Sequence, residues 1–376
     1  MGLVASRSKK KEGINDPKIR ATSNERQATN PEKRRWRIFS TVPLFTMNSA
    51  TVKHTDFPTN DPSPTFSGKD LLTIADIPAH QILRLLQIAR EIKAAPRQGR
   101  ASQLLAGLTV GLLFEKPSTR TRVSFEAAMN QLGGQALFLA SESIQLSRGE
   151  SLGDTAQVLS RYLDGLVVRT FAQTTLETWA HHATVPVING LTDLSHPCQI
   201  LADLQTIVEK KGSLKGLKLA YLGDGNNIAH SLLEACSLVG MHCSIGCPSG
   251  YEPNASIVEW AGQRSQGNHL TSEVVSDPVL AVKDADIVYT DVWTSMGQEE
   301  EHTARTTALQ AYQVNEALMA HAKPDAMVMH CLPAHRGEEI TAGVLDGPQS
   351  VVLDQAENRL HMQKAILTEW LGRPWS

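Results

Sequence analysis

From Asp70 onward the chain alternates short, continuous apolar runs with stretches whose apolar residues recur at helical spacing, and few folds accommodate that alternation. TVGLLF (109–114) offers no polar face to water, so it needs cover on both sides, which a parallel sheet with crossover helices provides. A helix is expected over 78–94. It is followed by that strand, a helix after Ser118 with Phe125, Met129 and Leu132 on one face, and a strand at 135–140. Next come a helix with Leu152, Ala156, Leu159 and Leu163 in line, strands at 165–170 and 185–189, and a helix near 176–182 between them. A long helix begins near Cys198, and a second run carries strands at 217–223, 242–247, 285–293 and 326–333. In the last helix, 357–371, Met362, Ile366 and Trp370 fall on one face, which must be buried against something.

These elements imply an α/β class: two Rossmann-like domains with parallel sheets flanked by helices. The expected divisions are a domain at 67–200, a second at 201–355, and a C-terminal helix at 356–376 that packs back on the first domain. Residues 1–66 differ in kind. They carry Lys9-Lys10-Lys11 and Arg34-Arg35 among many Ser, Thr, Asn and Pro, and read as a disordered extension. A basic leader suits an organellar transit peptide, although Glu12, Asp16, Glu25 and Glu32 are more acid than such leaders carry. The alternatives are an upstream extension ahead of a start at Met47, or a myristoylation signal at Met-Gly-Leu-Val-Ala-Ser. A cytoplasmic location is expected, or a plastid or mitochondrion if the leader is a transit peptide.

With 376 residues and a net charge of −3, the chain has no basic field to collect nucleic acid. Cys198, Cys236, Cys243, Cys247 and Cys331 form no CxxC pair, which argues against a disulfide framework or a structural zinc site and suits a reducing compartment. No apolar run reaches the length of a membrane helix, so a soluble protein with a small-molecule partner is expected.

Ligands of open α/β sheets bind beyond the carboxyl ends of the strands, so the residues that follow each strand are the candidates. Pooled, they are Ser118 to Thr121, Arg169, His196 to Gln199, Gly223 to Asn227, Asp291 to Met296 and His330 to Pro333. In FEKPSTRTRVSFE a strand runs into a helix start where Ser118, Thr119, Arg120 and Thr121 add hydroxyls and a guanidinium to free backbone N–H groups, the makings of a phosphate site. The plainer reading is a capped helix with surface arginines. Arg169 ends an apolar strand, where packing has no use for a charge, unless it snorkels to water. Pro197 suits a first helical turn, but a turn does not explain the flanking His196 and Gln199.

GDGNN (223–227) begins like a dinucleotide loop and then fails, with Ile228 in place of the third glycine. Its asparagines suit an amino-acid backbone or carboxylate, and one of them is expected to cap the helix. Asp291 suits a substrate ammonium or an Asx turn. Cys331 is a strand neighbour of His330, so their side chains should point to opposite faces, which favours binding over nucleophilic catalysis. Metal ligation by His196 with Cys198 or by His330 with Cys331 lacks the spacing of a zinc site, and no metal or organic cofactor is expected.

Read in order, STRTR, VVRT, HPCQ, GDGNN, DVWTSMG, HCLP and ENRLHMQK resemble the aspartate/ornithine transcarbamylase family, from about Lys69 to Gly372. DVWTSMG and HCLP resemble its ornithine branch. The resemblance implies that Ser118, Thr119, Arg120 and Thr121 hold the phosphate of carbamoyl phosphate and that Arg169, His196, Gln199 and Arg359 surround the same ligand. It further implies that Asn227, Asp291, Ser295 and Met296 form an ornithine pocket and that Cys331 and Leu332 lie where the substrates meet. Gln145 matches a position that reaches carbamoyl phosphate from a neighbouring subunit, and a homotrimer or a multiple of it is implied. Catalytic weight falls on Arg120, Arg169, His196 and Cys331. The alternatives are a relative that carbamoylates putrescine or N-acetylornithine, and a non-catalytic paralogue.

Overall fold

The computed structural model describes residues 69–95, 103–295, 297 and 299–372. The leader and Met296 lie outside the described residues. The first half runs α1 (Ala79–Ala94), β1 (Thr109–Phe114), α2 (Thr119–Gln131), β2 (Gln135–Ala140), α3 (Leu152–Leu159), β3 (Gly165–Arg169), α4 (Gln173–His182), β4 (Val187–Leu191) and α5 (Pro197–Lys211). The second runs β5 (Lys218–Leu222), α6 (Asn227–Val239), β6 (His242–Gly246), α7 (Ala255–Gly267), β7 (Ser272–Val275), α8 (Pro278–Val282), β8 (Ile287–Thr290), α9 (His302–Leu309), α10 (Glu316–Met319), β9 (Met327–His330), α11 (Ala342–Leu345) and α12 (Val352–Leu371).

Two all-parallel sheets result, ordered β2-β1-β3-β4 and β7-β6-β5-β8-β9. β3 is buried along its whole length, as its apolar run requires. α12 packs on α1, α2 and α5, so the expected return of the last helix to the first sheet's helices is observed. Met362, Ile366 and Trp370 are buried there, each stabilising the contact by about 2 kcal/mol. Among the described residues no helix is long and apolar enough to cross a membrane.

Several boundaries differ from expectation. β4 starts after Pro186, which has no N–H for the ladder, and runs on to Leu191 instead of ending at Asn189. β8 and β9 are shorter than their apolar sequence, because the chain leaves the sheet where the candidate residues begin. α3 stops at Leu159, so Leu163 joins the core from a turn. The edge strand β7 carries polar Ser272 and Glu273, is only half-buried along its length, and has no apolar run to announce it. α12 begins five residues before Glu357, at a start without a side-chain cap.

Candidate active site

The candidate residues gather at the carboxyl ends of both sheets. Ser118 caps α2, its Oγ accepting from Thr121 N at 3.2 Å and donating to Thr121 Oγ1 at 3.0 Å. Capping and ligand contact are therefore compatible roles for one turn, because the cap takes the Thr121 N–H and leaves the Thr119 and Arg120 N–H groups without a partner inside the helix. Lys116, which sequence pattern did not single out, is buried just before this turn; it pairs with Asp193 and lies 4.1 Å from the centre of the Phe171 ring.

Arg169 is buried at the end of β3. Opposite it, β4 carries an extra residue: Val168 pairs with Asn189 but Arg169 with Leu191. Such a bulge re-aims the side chains beside it. Gly190 occupies the extra position, where a Cβ would lie 3.2 Å from Val167 Cγ1.

Three guanidiniums meet here. Burial, then Arg359 and Arg120, lower the Arg169 pKa to about 10. Arg359 donates to Gln199 Oε1 at 2.8 Å and to Thr121 Oγ1 at 2.9 Å, while Arg120 donates to the Leu332 carbonyl at 2.8 Å. Nε of Arg169, Nε of Arg359 and Nδ1 of His196 are buried without a hydrogen-bond partner. Burial, with Arg359 and Arg169 nearby, holds His196 well below its ordinary pKa, so its imidazole is neutral. Like charges and unused donors packed together form a site for an anion. A cavity of about 370 Å³ opens among Thr119, Arg120, Gln199, Cys331, Gln355 and Arg359.

The neighbouring region is more fully bonded. Asp291 accepts from Cys331 Sγ at 2.8 Å and from Asn226 Nδ2 at 2.9 Å. Burial and the Asp291 carboxylate push the Cys331 thiol well above its ordinary pKa, which argues against a thiolate nucleophile. His330 points the other way, as expected for a strand neighbour: Nε2 lies 3.0 Å from Glu339 Oε1 and Nδ1 accepts from Leu332 N at 2.9 Å. Leu332 sits at φ 59, a left-handed conformation that costs a non-glycine residue about 1–2 kcal/mol, and that geometry presents its carbonyl to Arg120.

Asn226 is the helix cap, its Oδ1 accepting from Ile228 and Ala229 N–H, whereas Asn227 donates to the Thr192 carbonyl at 2.6 Å. Gly225 is small for a local reason: a Cβ there would lie 2.2 Å from Pro253 N. Arg305 ties the loop at 293 to the loop at 224, donating to the Trp293 carbonyl at 3.3 Å and to Asp224 at 2.8 Å.

Gln145 occupies an exposed 3-10 turn, and among the described residues no contact joins it to the cage. Ser295 follows the strand end at Asp291 but is not among the cavity-lining residues. Sequence reasoning missed Asp203, Tyr289, Gln355 and Glu339, buried residues whose bonds hold the named ones in place. For Asp203 a signal existed, since it follows Gln199 at helical spacing.

Comparison with known proteins gives the family and the fold. Residues 69–209 match the aspartate/ornithine carbamoyltransferase carbamoyl-P binding domain, and residues 215–369 match the Asp/Orn binding domain of the same family. The ornithine carbamoyltransferase of Syntrophus aciditrophicus is 56% identical over 302 residues, spanning 80% of this chain and 98% of its own. The anabolic ornithine carbamoyltransferase of Pyrococcus furiosus is 53% identical over 308 residues, spanning 82% and 98%. The solved structure of the ornithine carbamoyltransferase from Pyrococcus furiosus superposes with a TM-score of 0.79 at 52% identity, again covering 82% of this chain and 98% of its own. Sequence motifs, two matched domains and a shared fold thus lead to one statement: this chain belongs to the aspartate/ornithine carbamoyltransferase family.

Proposed function

We propose that the chain transfers the carbamoyl group of carbamoyl phosphate to the δ-amine of L-ornithine, giving L-citrulline and phosphate. The cavity lined by Arg120, Arg359 and Cys331, with the buried Arg169 guanidinium close enough to feel both arginines, carries the reading, because it sets a cluster of positive charge beside the Asp291 carboxylate that Cys331 bonds. The curated relatives named for this activity support it, and the anabolic title of one supports the biosynthetic direction.

The residues divide the chemistry between them. Ser118 to Thr121 and Arg120, at the N-terminus of α2, take the phosphate. Arg169, the Thr121 hydroxyl and neutral His196 face the carbamoyl oxygen, where negative charge develops when the amine attacks the carbonyl carbon. Gln199 Oε1 and the Leu332 carbonyl are acceptors suited to the carbamoyl NH₂. In this structure Arg359 and Arg120 donate to those two oxygens. Phosphate would draw the guanidiniums to itself and release both acceptors to the NH₂ group. Asp291 receives the α-ammonium of ornithine, with Asn227, Ser295 and Met296 completing the pocket. The neutral δ-amine forms the new C–N bond, the C–O bond to phosphate breaks, and the departing phosphate takes the remaining proton from the attacking nitrogen and leaves into the arginine cage as hydrogen phosphate.

We assign the assembly as a homotrimer in which Gln145 serves a neighbouring copy; its exposed turn supports this. We infer domain divisions near residues 200 and 355; the matched family segments break between 209 and 215, near the first of these, and the second segment runs on to 369. The decisive assay compares L-ornithine, putrescine, N-acetylornithine and L-aspartate as acceptors for carbamoyl phosphate. Strong preference for ornithine is expected, and preference for another amine overturns the assignment.

A further inference from the structure

Gln199 can serve the carbamoyl group only if its amide points the right way, and something must decide that. Its Nε2 donates to Asp203 Oδ1 at 2.8 Å, one turn along α5, which leaves Oε1 facing the cavity, where Arg359 donates to it. Asp203 is 1% exposed and lies at the centre of a three-element junction. Its Oδ1 also accepts from Gln355 Nε2 of α12 at 2.9 Å, and its Oδ2 accepts from the Tyr289 hydroxyl of β8 at 2.9 Å. Gln355 in turn accepts from His330 N at 2.9 Å, at the start of the loop that presents the Leu332 carbonyl.

We propose that Asp203 is a positioning residue for the transfer reaction: as an acceptor-only carboxylate it fixes the Gln199 amide with its oxygen toward the carbamoyl NH₂, and through Gln355 it holds the Leu332 loop in register with that oxygen. This rests on the carbamoyl phosphate reading of the same cavity. Asp203 acts on the ligand's amide end and not on its phosphate, because its partners are Gln199, Gln355 and Tyr289, whereas Arg120 and the α2 terminus take the phosphate. Burial pushes the Asp203 pKa up to about 6 against the pull of the Gln355, Gln199 and Tyr289 hydrogen bonds, so at pH 8 the group is ionised and only accepts. An amide in its place keeps one oxygen, which can serve either the two glutamines or the Tyr289 hydroxyl; in the second arrangement its NH₂ faces Gln199, which turns over and offers its own NH₂ to the ligand, so the orientation that the carboxylate fixes is fixed no longer.

The test is Asp203→Asn in the full-length enzyme at pH 8, read against three phosphate ligands. Relative to wild type, KM for carbamoyl phosphate should rise about tenfold or more. Inhibition by inorganic phosphate should stay within about twofold, since the arginine cage is intact. Acetyl phosphate, which has a methyl group in place of the NH₂, should lose far less affinity than carbamoyl phosphate, so discrimination between the two narrows. A parallel rise in all three constants, or no rise in any, overturns the proposal. If Asp203→Asn does not fold, Tyr289→Phe decides: a raised ratio of the carbamoyl phosphate KM to the phosphate inhibition constant supports the role, and an unchanged ratio overturns it. Wild-type transfer is measured in the same series, so failure of the assigned activity and failure of the positioning role are separate results.

Discussion

The arginine cage and the cluster around Asp291, proposed above as the amine pocket, lie at the carboxyl ends of two sheets and treat their polar groups in opposite ways. In the cage, Arg169 Nε, Arg359 Nε and His196 Nδ1 are buried and unsatisfied. In the pocket, both Asp291 oxygens are taken, one by Cys331 and the Val292 N–H, the other by Asn226. An unsatisfied buried donor costs about 1–3 kcal/mol, and an arriving anion removes that cost. The cage therefore gains by being filled, whereas the pocket must exchange bonds it already has. That asymmetry favours carbamoyl phosphate binding first and the amine second, and product-inhibition patterns that show random order would break it.

Variants can sharpen the contrast. The largest effect is expected for Arg169→Ala, which removes a donor aimed at the carbamoyl oxygen: turnover should fall about 10²- to 10³-fold. The folded protein should not lose melting temperature, since a buried guanidinium with an unpaired Nε disappears with it. A large drop in melting temperature would show that the cage is structural scaffolding. Asp291→Asn should raise KM for ornithine about tenfold or more by removing a charged partner of the ammonium, and leave KM for carbamoyl phosphate unchanged. Equal rises in both constants would erase the division between the two regions. The smallest signal concerns what completes the cage. Gln145→Ala and Arg120→Ala preparations, each feeble alone, should regain a minor fraction of wild-type activity when dissociated and reassembled together, because mixed assemblies contain some intact sites. No regain would place Gln145 outside the site.

Much of this was legible in the sequence, for a physical reason. Parallel strands buried on both faces announce themselves as apolar runs, and a charge or a histidine at the end of such a run has no packing purpose. Arg169 and Asp291 were visible in that way, and His196 by its place at a helix entrance whose proline a capping turn explains and whose histidine it does not. The glycines of GDGNN were visible but open to misreading; Gly225 reflects the close approach of Pro253 and not a pyrophosphate. The spacing of Asp203 from Gln199 offered a signal for that one pair, but its junction with Tyr289 and Gln355 could not be read from the pattern, because their meeting is a product of tertiary packing. β7 escaped for the reverse reason: as a half-buried edge it needs no apolar run.

α12 supplies Arg359 to a cage whose other arginines come from β3 and from the start of α2. A ribosome delivers this chain in order, and both sheets can collapse before α12 has emerged. Until then the nascent protein has most of its architecture but lacks a guanidinium of the anion cage. Arrival of α12 and arrival of full substrate affinity are thus one event, and a chain still short of that helix has little means of sequestering carbamoyl phosphate that it cannot use.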